Sequence, residues 1–443
     1  MVDIQEMPED RALEWLPMAT DAEALRQRLA PWFAPLHLVQ LKVERLTYKP
    51  GRSARFSYRL KLVEPVTGEK WRHVLHGRME PAEEMAALYK KMRKRAWVEP
   101  RFGPALIWFE DLCMLLWGFP NDPKLHGIER VAQPEGLRET LRAVPALGFQ
   151  PERCDSSIVK YVPGKRLVMR HKLAAGRERA TIYSKTYSHE RGAAIHAVMR
   201  HLWERAQREP EALTLPEPLA WLPECNTLLL RGLPGTAAIG ELHGPGLQRC
   251  MQQAGRGLAH IHTSGVLGLE RWGEAHELEN FLGATGMLQR WDADLAAPVA
   301  RLRALAEAGL ATLERCEPVS IHGAFRFTQL LSYRDRLALV DFDGFKQGHP
   351  MCDAGGFVAH LFYLMAKGEL EPAAARTAVA AFLDAYAETA ACAPRALHWY
   401  TALILVGKHA QKCVKRLKDD GDTKIRVLLD VAENLLVGRL SLR

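Results

Sequence analysis

Two spacings of apolar residues divide this chain. From about Val39 to Leu229 apolar and polar residues alternate in short runs, the pattern of half-buried strands. Beyond Gly235 the three- and four-residue spacing of amphipathic helices takes over. Ahead of the strands, Thr20 and Glu23 have the spacing of a capping box, and Leu25, Leu29, Trp32 and Phe33 share one face. They predict a helix from Thr20 that Pro35 stops.

The alternating half repeats itself. Tyr48-Lys49-Pro50-Gly51 recurs 113 residues later as Tyr161-Val162-Pro163-Gly164. Proline fixes φ and glycine supplies a positive φ, so each is a hairpin tip. A strand follows in both copies (Ser53 to Val63, Leu167 to Leu173), then a second (Trp71 to Met79, Thr181 to Tyr187). An amphipathic helix comes next (Pro81 to Met92, Glu190 to Trp203). Trp108-Phe109 with Leu115-Leu116 corresponds, at the same offset, to Trp221-Leu222 with Leu228-Leu229. One offset held at both ends argues for two copies of one hairpin–strand–helix–strand unit. Phe119 to Pro123 between the copies reads as a linker turn.

Helices are expected at Leu247 to His262, Ala373 to Tyr386 and Tyr400 to Leu417. The last lines Leu403, Ile404, Gly407, Ala410, Val414 and Leu417 along one face, and Lys408, Lys412, Lys415 and Lys418 lie elsewhere around it. Asp419-Asp420-Gly421-Asp422 breaks it. The strong strands of this half are Leu330 to Tyr333 and Leu337 to Val340, joined by Arg334-Asp335-Arg336.

Composition narrows the class. With 443 residues, 48% apolar and 25% charged, the chain has room for two or three globular domains. Its net charge of +8 is spread along the sequence, so a solvated basic surface and a site for anionic ligands both fit. The eight cysteines form no C-x-x-C pair, as expected of reduced thiols in a cytoplasmic protein. Met1 to Asp10 lacks the form of a signal peptide, and the longest apolar run, Ala354 to Met365, is too short for a membrane span.

Chemistry concentrates in His322-Gly323-Ala324-Phe325-Arg326-Phe327-Thr328-Gln329, followed by Asp341-Phe342-Asp343-Gly344. Asp341 ends an apolar strand, and carboxylates held on such a platform suit Mg²⁺. The pattern resembles the aminoglycoside phosphotransferase family, whose loop reads H-G-D-x-x-x-x-N ahead of an acidic metal ligand. Ala324 stands where that family has its catalytic Asp, and Gln329 where it has Asn. The resemblance covers about Cys154 to Arg443. It implies an α+β, two-lobed protein-kinase-like fold, with the first copy as an additional duplicated N-lobe-like module. The expected divisions are a helical segment at 1–38, the extra module at 39–145, the kinase-like N-lobe at 146–235 and the helical C-lobe at 236–443.

The resemblance also implies roles. Asp341 and Gln329 would hold Mg²⁺, with Asp343 in support and a candidate to serve the acceptor. His322 would shape the loop and Asp353 brace it. Gly164 and Lys165 would cover the phosphates of ATP or another nucleoside triphosphate. Lys185 would grip them, with Glu190 the nearest acidic partner. Arg326 reads equally as a phosphate ligand and as a surface arginine. The implied activity is transfer of phosphate from Mg·ATP to a hydroxyl of a small-molecule acceptor. A nucleotide-binding pseudokinase is the alternative, because Ala324 accepts no proton. No nucleic acid and no membrane is expected as a partner.

Overall fold

The computed structural model describes residues 9–209, 214–266, 270–333, 336–416 and 420–442. The residues before Glu9, Arg334-Asp335 of the expected hairpin connection and Leu417 to Asp419 lie outside them. Packing separates two compact units. The first comprises Met1–Glu190, Leu219–Leu229 and Val414–Asp419, the second Arg191–Pro218, Leu230–Cys413 and Asp420–Arg443, within the described residues.

Two five-stranded sheets dominate the first unit. One contains β1 (His37–Lys49), β2 (Ser53–Val63), β3 (Lys70–Met79), β4 (Leu106–Phe109) and β5 (Met114–Gly118) in the order β1-β2-β3-β5-β4. The other contains β6 (Arg153–Val162), β7 (Arg166–Ala175), β8 (Glu178–Tyr187), β9 (Pro218–Leu222) and β10 (Thr227–Arg231) in the order β6-β7-β8-β10-β9. The shared order places each central strand between the same neighbours. In both hairpins the glycine takes a left-handed conformation, φ +66° at Gly51 and +68° at Gly164, which the absence of a Cβ permits.

A carboxylate clasps each hairpin from outside it. Asp10 Oδ2 accepts the Tyr48 hydroxyl at 2.7 Å and the Gly51 amide at 2.8 Å. Asp122 Oδ2 accepts the Tyr161 hydroxyl at 2.8 Å and the Gly164 amide at 2.7 Å. Each aspartate precedes two short helices, Leu16–Thr20 and Ala22–Leu29 in one case, Glu129–Ala132 and Pro134–Arg142 in the other. The repeating order therefore starts at the aspartate, ahead of the strands that reveal it in the sequence.

Three local expectations are corrected here. The first helix does not start at Thr20: Asp21 caps Ala22–Leu29, accepting the Glu23 and Ala24 amides at 3.0 and 2.9 Å. A carboxylate caps better than the Thr20 hydroxyl, which turns back to Pro17 O at 2.9 Å. The segment Phe119 to Pro123 is more than a linker. Asn121 and Asp122 are buried, and Asn121 bridges the Val98 backbone and Gly118 O. The helix expected from Glu190 begins at Gly192, leaving Glu190 exposed before it.

The second unit is mostly helical. Leu247–His262, Glu274–Trp291, Ala296–Leu310, Pro350–Ala366, Pro372–Ala387 and Gly421–Leu436 are its longer helices. The run Ala354 to Met365 lies in a helix whose residues are almost all buried, which explains its hydropathy. Between the helices, Leu330–Tyr333 pairs antiparallel with Arg336–Leu339, and Val319–Ile321 with Lys346–Gly348. The helix expected from Tyr400 is interrupted. An α-helix at Pro394–Ile404 widens into a π turn at Leu405–Ala410 before Gln411–Arg416 resumes. Such a turn inserts one residue and re-aims the side chains after it. No helix among the described residues is long and apolar enough to cross a membrane.

Candidate active site

The loop from His322 is built on backbone contacts. Asp353, in the first turn of Pro350–Ala366, accepts the His322 amide at 2.5 Å and the Gly323 amide at 2.8 Å. His262 Nε2 approaches the same carboxylate at 3.5 Å, and Tyr386 Oη lies 2.8 Å from His262 Nδ1. Burial pushes the Asp353 carboxyl up, but the His262 hydrogen bond, the His262 and His322 rings and the His322 amide outweigh it and hold the group below its ordinary range.

Gly323 is the close point between this loop and the acidic turn. Its φ is +71°, and a Cβ there would come within 2.1 Å of Gly344 O. The His322 ring is fully buried, edge-on to Phe342 at 5.0 Å and Phe325 at 5.9 Å. His322 thus shapes the loop through ring packing and its amide.

The hairpin sets the backbones of Gln329 and Asp341 side by side. Val340 N–H donates to Gln329 O at 3.0 Å, so Asp341, the next residue, stands beside Gln329. Asp341 adopts φ +76°, a left-handed conformation that Asp tolerates better than most residues. It precedes the single turn Phe342–Gly344 that carries Asp343, without a side-chain capping bond to it. Gln329 is buried, and its Oε1 has no hydrogen-bond donor.

Beside the loop lies a cavity of about 250 Å³, lined by Ala324, Arg326, Cys352, Lys408, His409 and Lys412 among others. Its cations come from the loop and from the π turn and the helix after it. His409 is buried, stacks on Tyr363 at 4.6 Å, and its Nδ1 has no partner. Burial, then His360, Lys412, Arg326 and Lys408, keep its imidazole neutral far below the usual histidine range. Burial holds Cys352 as the thiol.

A profile of the phosphotransferase enzyme family (APH) matches residues 164–395, more than half of the chain. The chain belongs to this phosphotransferase family. The fold is kinase-like, as in a Ralstonia eutropha protein described as an aminoglycoside phosphotransferase, at 14% identity and a TM-score of 0.50 over 69% of this chain and 98% of that one. Spectinomycin phosphotransferase (12% identity, TM-score 0.49, 68% and 97% covered) and the choline kinase of Cryptosporidium parvum (9%, 0.49, 69% and 97%) are further similar structures. A search of curated proteins finds no significant relative.

The family match opens at the Gly164 turn, so β1–β5 precede it. Within the first unit, Lys185 sits on β8 opposite Val168, only 8% exposed. On the other side of that strand Ser184 Oγ meets His171 at 2.8 Å, and His171 meets Ser156 at 2.8 Å, a polar ladder across three strands. The pairing of Lys185 with Glu190 is not found: Glu190 forms no ion pair among the described residues, because the chain turns away between Tyr187 and Gly192 before the helix begins. Lys165 follows the Gly164 tip, which lines a pocket with Arg55 and Arg78. Sequence reasoning passed over His262 and Tyr386. Nothing in spacing could reveal them, since they meet Asp353 from distant helices.

Proposed function

We propose that this phosphotransferase-family chain transfers phosphate from Mg·ATP to a hydroxyl of a small acceptor that carries negative charge. Three cations, Arg326, Lys408 and Lys412, line the cavity beside Ala324, and this observation carries the reading. A cationic acceptor would be repelled there, whereas a carboxylate or phosphate group would gain charge-assisted hydrogen bonds.

The donor side rests on Lys185, Gly164 and Lys165 for the nucleotide phosphates and on Asp341 and Gln329 for the metal. The unpartnered Gln329 Oε1 beside Asp341 fits Mg²⁺, which takes one or two protein oxygens and fills its shell with phosphate and water. When bound, the ion would offset charge on the β- and γ-phosphates.

Ala324, at the position of the family's catalytic Asp, accepts no proton. General-base catalysis contributes roughly 10²–10⁴-fold, or about 3–5 kcal/mol. A loose phosphoryl-transfer transition state depends more on positioning than on proton removal. Of the groups lining the cavity, Asp353 is taken by loop amides, Cys352 is a thiol, and the His409 imidazole, buried among cations, resists taking up a proton. Asp343, whose neighbour Gly344 packs against Ala324, is the group we assign to receive the acceptor's proton.

A nucleotide-binding pseudokinase is the second reading, favoured by Ala324 itself. Thermal denaturation with Mg·ATP, for the wild type and Asp341→Asn, tests what the two share. Stabilisation of the wild type and its loss in the variant are expected; an equal response in both proteins would count against both readings.

A further inference from the structure

The first sheet carries a concentration of positive charge that the phosphotransfer reading does not use. Alternation along β1 sets Arg45, Thr47 and Lys49 on the face opposite buried Leu46 and Tyr48. On the neighbouring strands Arg55 pairs in register with Arg78, and like charges directly opposed destabilise a sheet. Arg55, His76, Arg78 and Trp117 line a shallow pocket with Lys124 and the Gly164 turn. Lys165 follows that turn. Arg416, from the segment Val414–Asp419 of the same unit, donates to Leu46 O at 2.6 Å.

Little negative charge answers these cations. Glu80 pairs with Arg78, and Asp122 is committed to Tyr161 and Gly164. Among the described residues Arg45, Lys49, Arg55, Lys124 and Lys165 form no ion pair with a carboxylate. Burial, then Arg55, Lys49, Arg45 and Lys124, push the Lys165 ammonium below its ordinary value, and burial, Arg416 and Arg166 bring Arg45 down to about 10. One lining residue, Trp117, also carries a buried donor without an acceptor. Trp117 is 2% exposed, and its indole Nε1–H meets no oxygen, although such groups normally find a partner when buried.

Register gives the pocket an internal counterpart. The Arg55–Arg78 pair of the first sheet corresponds to the Val168–Lys185 pair of the second, each one residue beyond the equivalent pairs Ala54–Met79 and Leu167–Thr186. A cation thus occupies the same strand position in both sheets.

We infer that this face of the first sheet is a separate anion site, built for a small ligand bearing two or more phosphate groups. Several cations line one pocket at a single turn, which suits a compact oligophosphate. An extended nucleic acid would call for a basic stripe tracking its backbone. The site overlaps the proposed nucleotide site at the Gly164–Lys165 turn, and the contrast between Lys185→Met and Arg55→Gln tells the two apart.

Inorganic tripolyphosphate in EDTA is the probe, added to the full-length protein during thermal denaturation and calorimetric titration. Wild type and Lys185→Met should both bind it and melt at higher temperature. Arg55→Gln should bind at least about tenfold more weakly, the loss of one charge-assisted hydrogen bond. Without ligand this variant should melt no lower than wild type, since it relieves the Arg55–Arg78 repulsion. Lys124→Gln, at an exposed position, should weaken binding without touching the sheet. Three outcomes would overturn the inference: no response in the wild type, a response lost in Lys185→Met but kept in Arg55→Gln, or binding of an RNA oligomer with none of tripolyphosphate.

Discussion

The Asp353 carboxylate holds the Gly323 amide at 2.8 Å, tying the loop that carries Ala324 to the first turn of a buried helix. The same carboxylate takes the His322 amide. Asp353→Ala would leave both amides without their acceptor, at about 1–3 kcal/mol each for a buried group. We expect a urea midpoint lowered accordingly, with Asp353→Asn intermediate because its amide oxygen still accepts. Unchanged stability in Asp353→Ala would mean that the loop is held by other contacts.

The two hairpin clasps predict an asymmetry. Asp122 serves a buried tyrosine hydroxyl, whereas Asp10 serves a partly buried one and an exposed amide. Asp122→Ala should therefore destabilise the protein more than Asp10→Ala, the latter by about 1 kcal/mol or less. Chemical denaturation of the two variants compares them directly.

Buried histidines set an acid limit. Burial pushes His73 and His171 down to about 4, and burial with the neighbouring cations brings His360 to about 3. The unfolded chain binds these protons near pH 6.5, so it is the better proton acceptor between that pH and the folded values. Their contribution to stability is complete above about pH 6.5 and is lost as pH falls toward 4 and then 3. Melting temperature measured from pH 7.5 down to pH 4 should drop steadily below about 6.5, and His171→Asn should flatten the slope. A midpoint flat across this range would contradict neutral burial of these rings.

The duplicated strands were legible because hairpin tips announce themselves: Pro-Gly twice at one offset is a local signal. The aspartates that clasp those tips were not, since Asp10 lies 38 residues before Tyr48 and Asp122 lies 39 before Tyr161. The acidic turn was readable from Leu337 to Asp343, yet its link to Gln329 rests on one backbone bond from Val340. The cations of the cavity were visible only as helix-face lysines. A π turn, which periodicity does not foresee, brings Lys408 and His409 to the lining residues around Ala324. Glu190 was misjudged for a related reason: proximity in sequence suggested a pairing that the turn before Gly192 prevents.

Ala324→Asp probes the acceptor side. It restores a proton acceptor but adds negative charge to a cavity lined by Arg326, Lys408 and Lys412. Turnover of neutral hydroxyl acceptors should rise, by up to roughly 10²-fold for a positioned base, while affinity for anionic acceptors changes because the carboxylate neutralises the cations they need. Steady-state kinetics with matched neutral and carboxylate-bearing alcohols separates the two effects. Equal changes for both classes would show that cavity charge does not select the acceptor.

Transfer itself is the decisive measurement. Wild type, Asp341→Asn and Asp343→Asn are incubated with Mg·ATP and a panel of hydroxyl compounds bearing carboxylate or phosphate groups, and phosphorylated product is quantified by mass spectrometry. The account predicts product from anionic acceptors with the wild type, none with Asp341→Asn, and strongly reduced product with Asp343→Asn. Mg·ATP binding without product from any acceptor would contradict transfer, and product confined to cationic acceptors would contradict the role given to Arg326, Lys408 and Lys412.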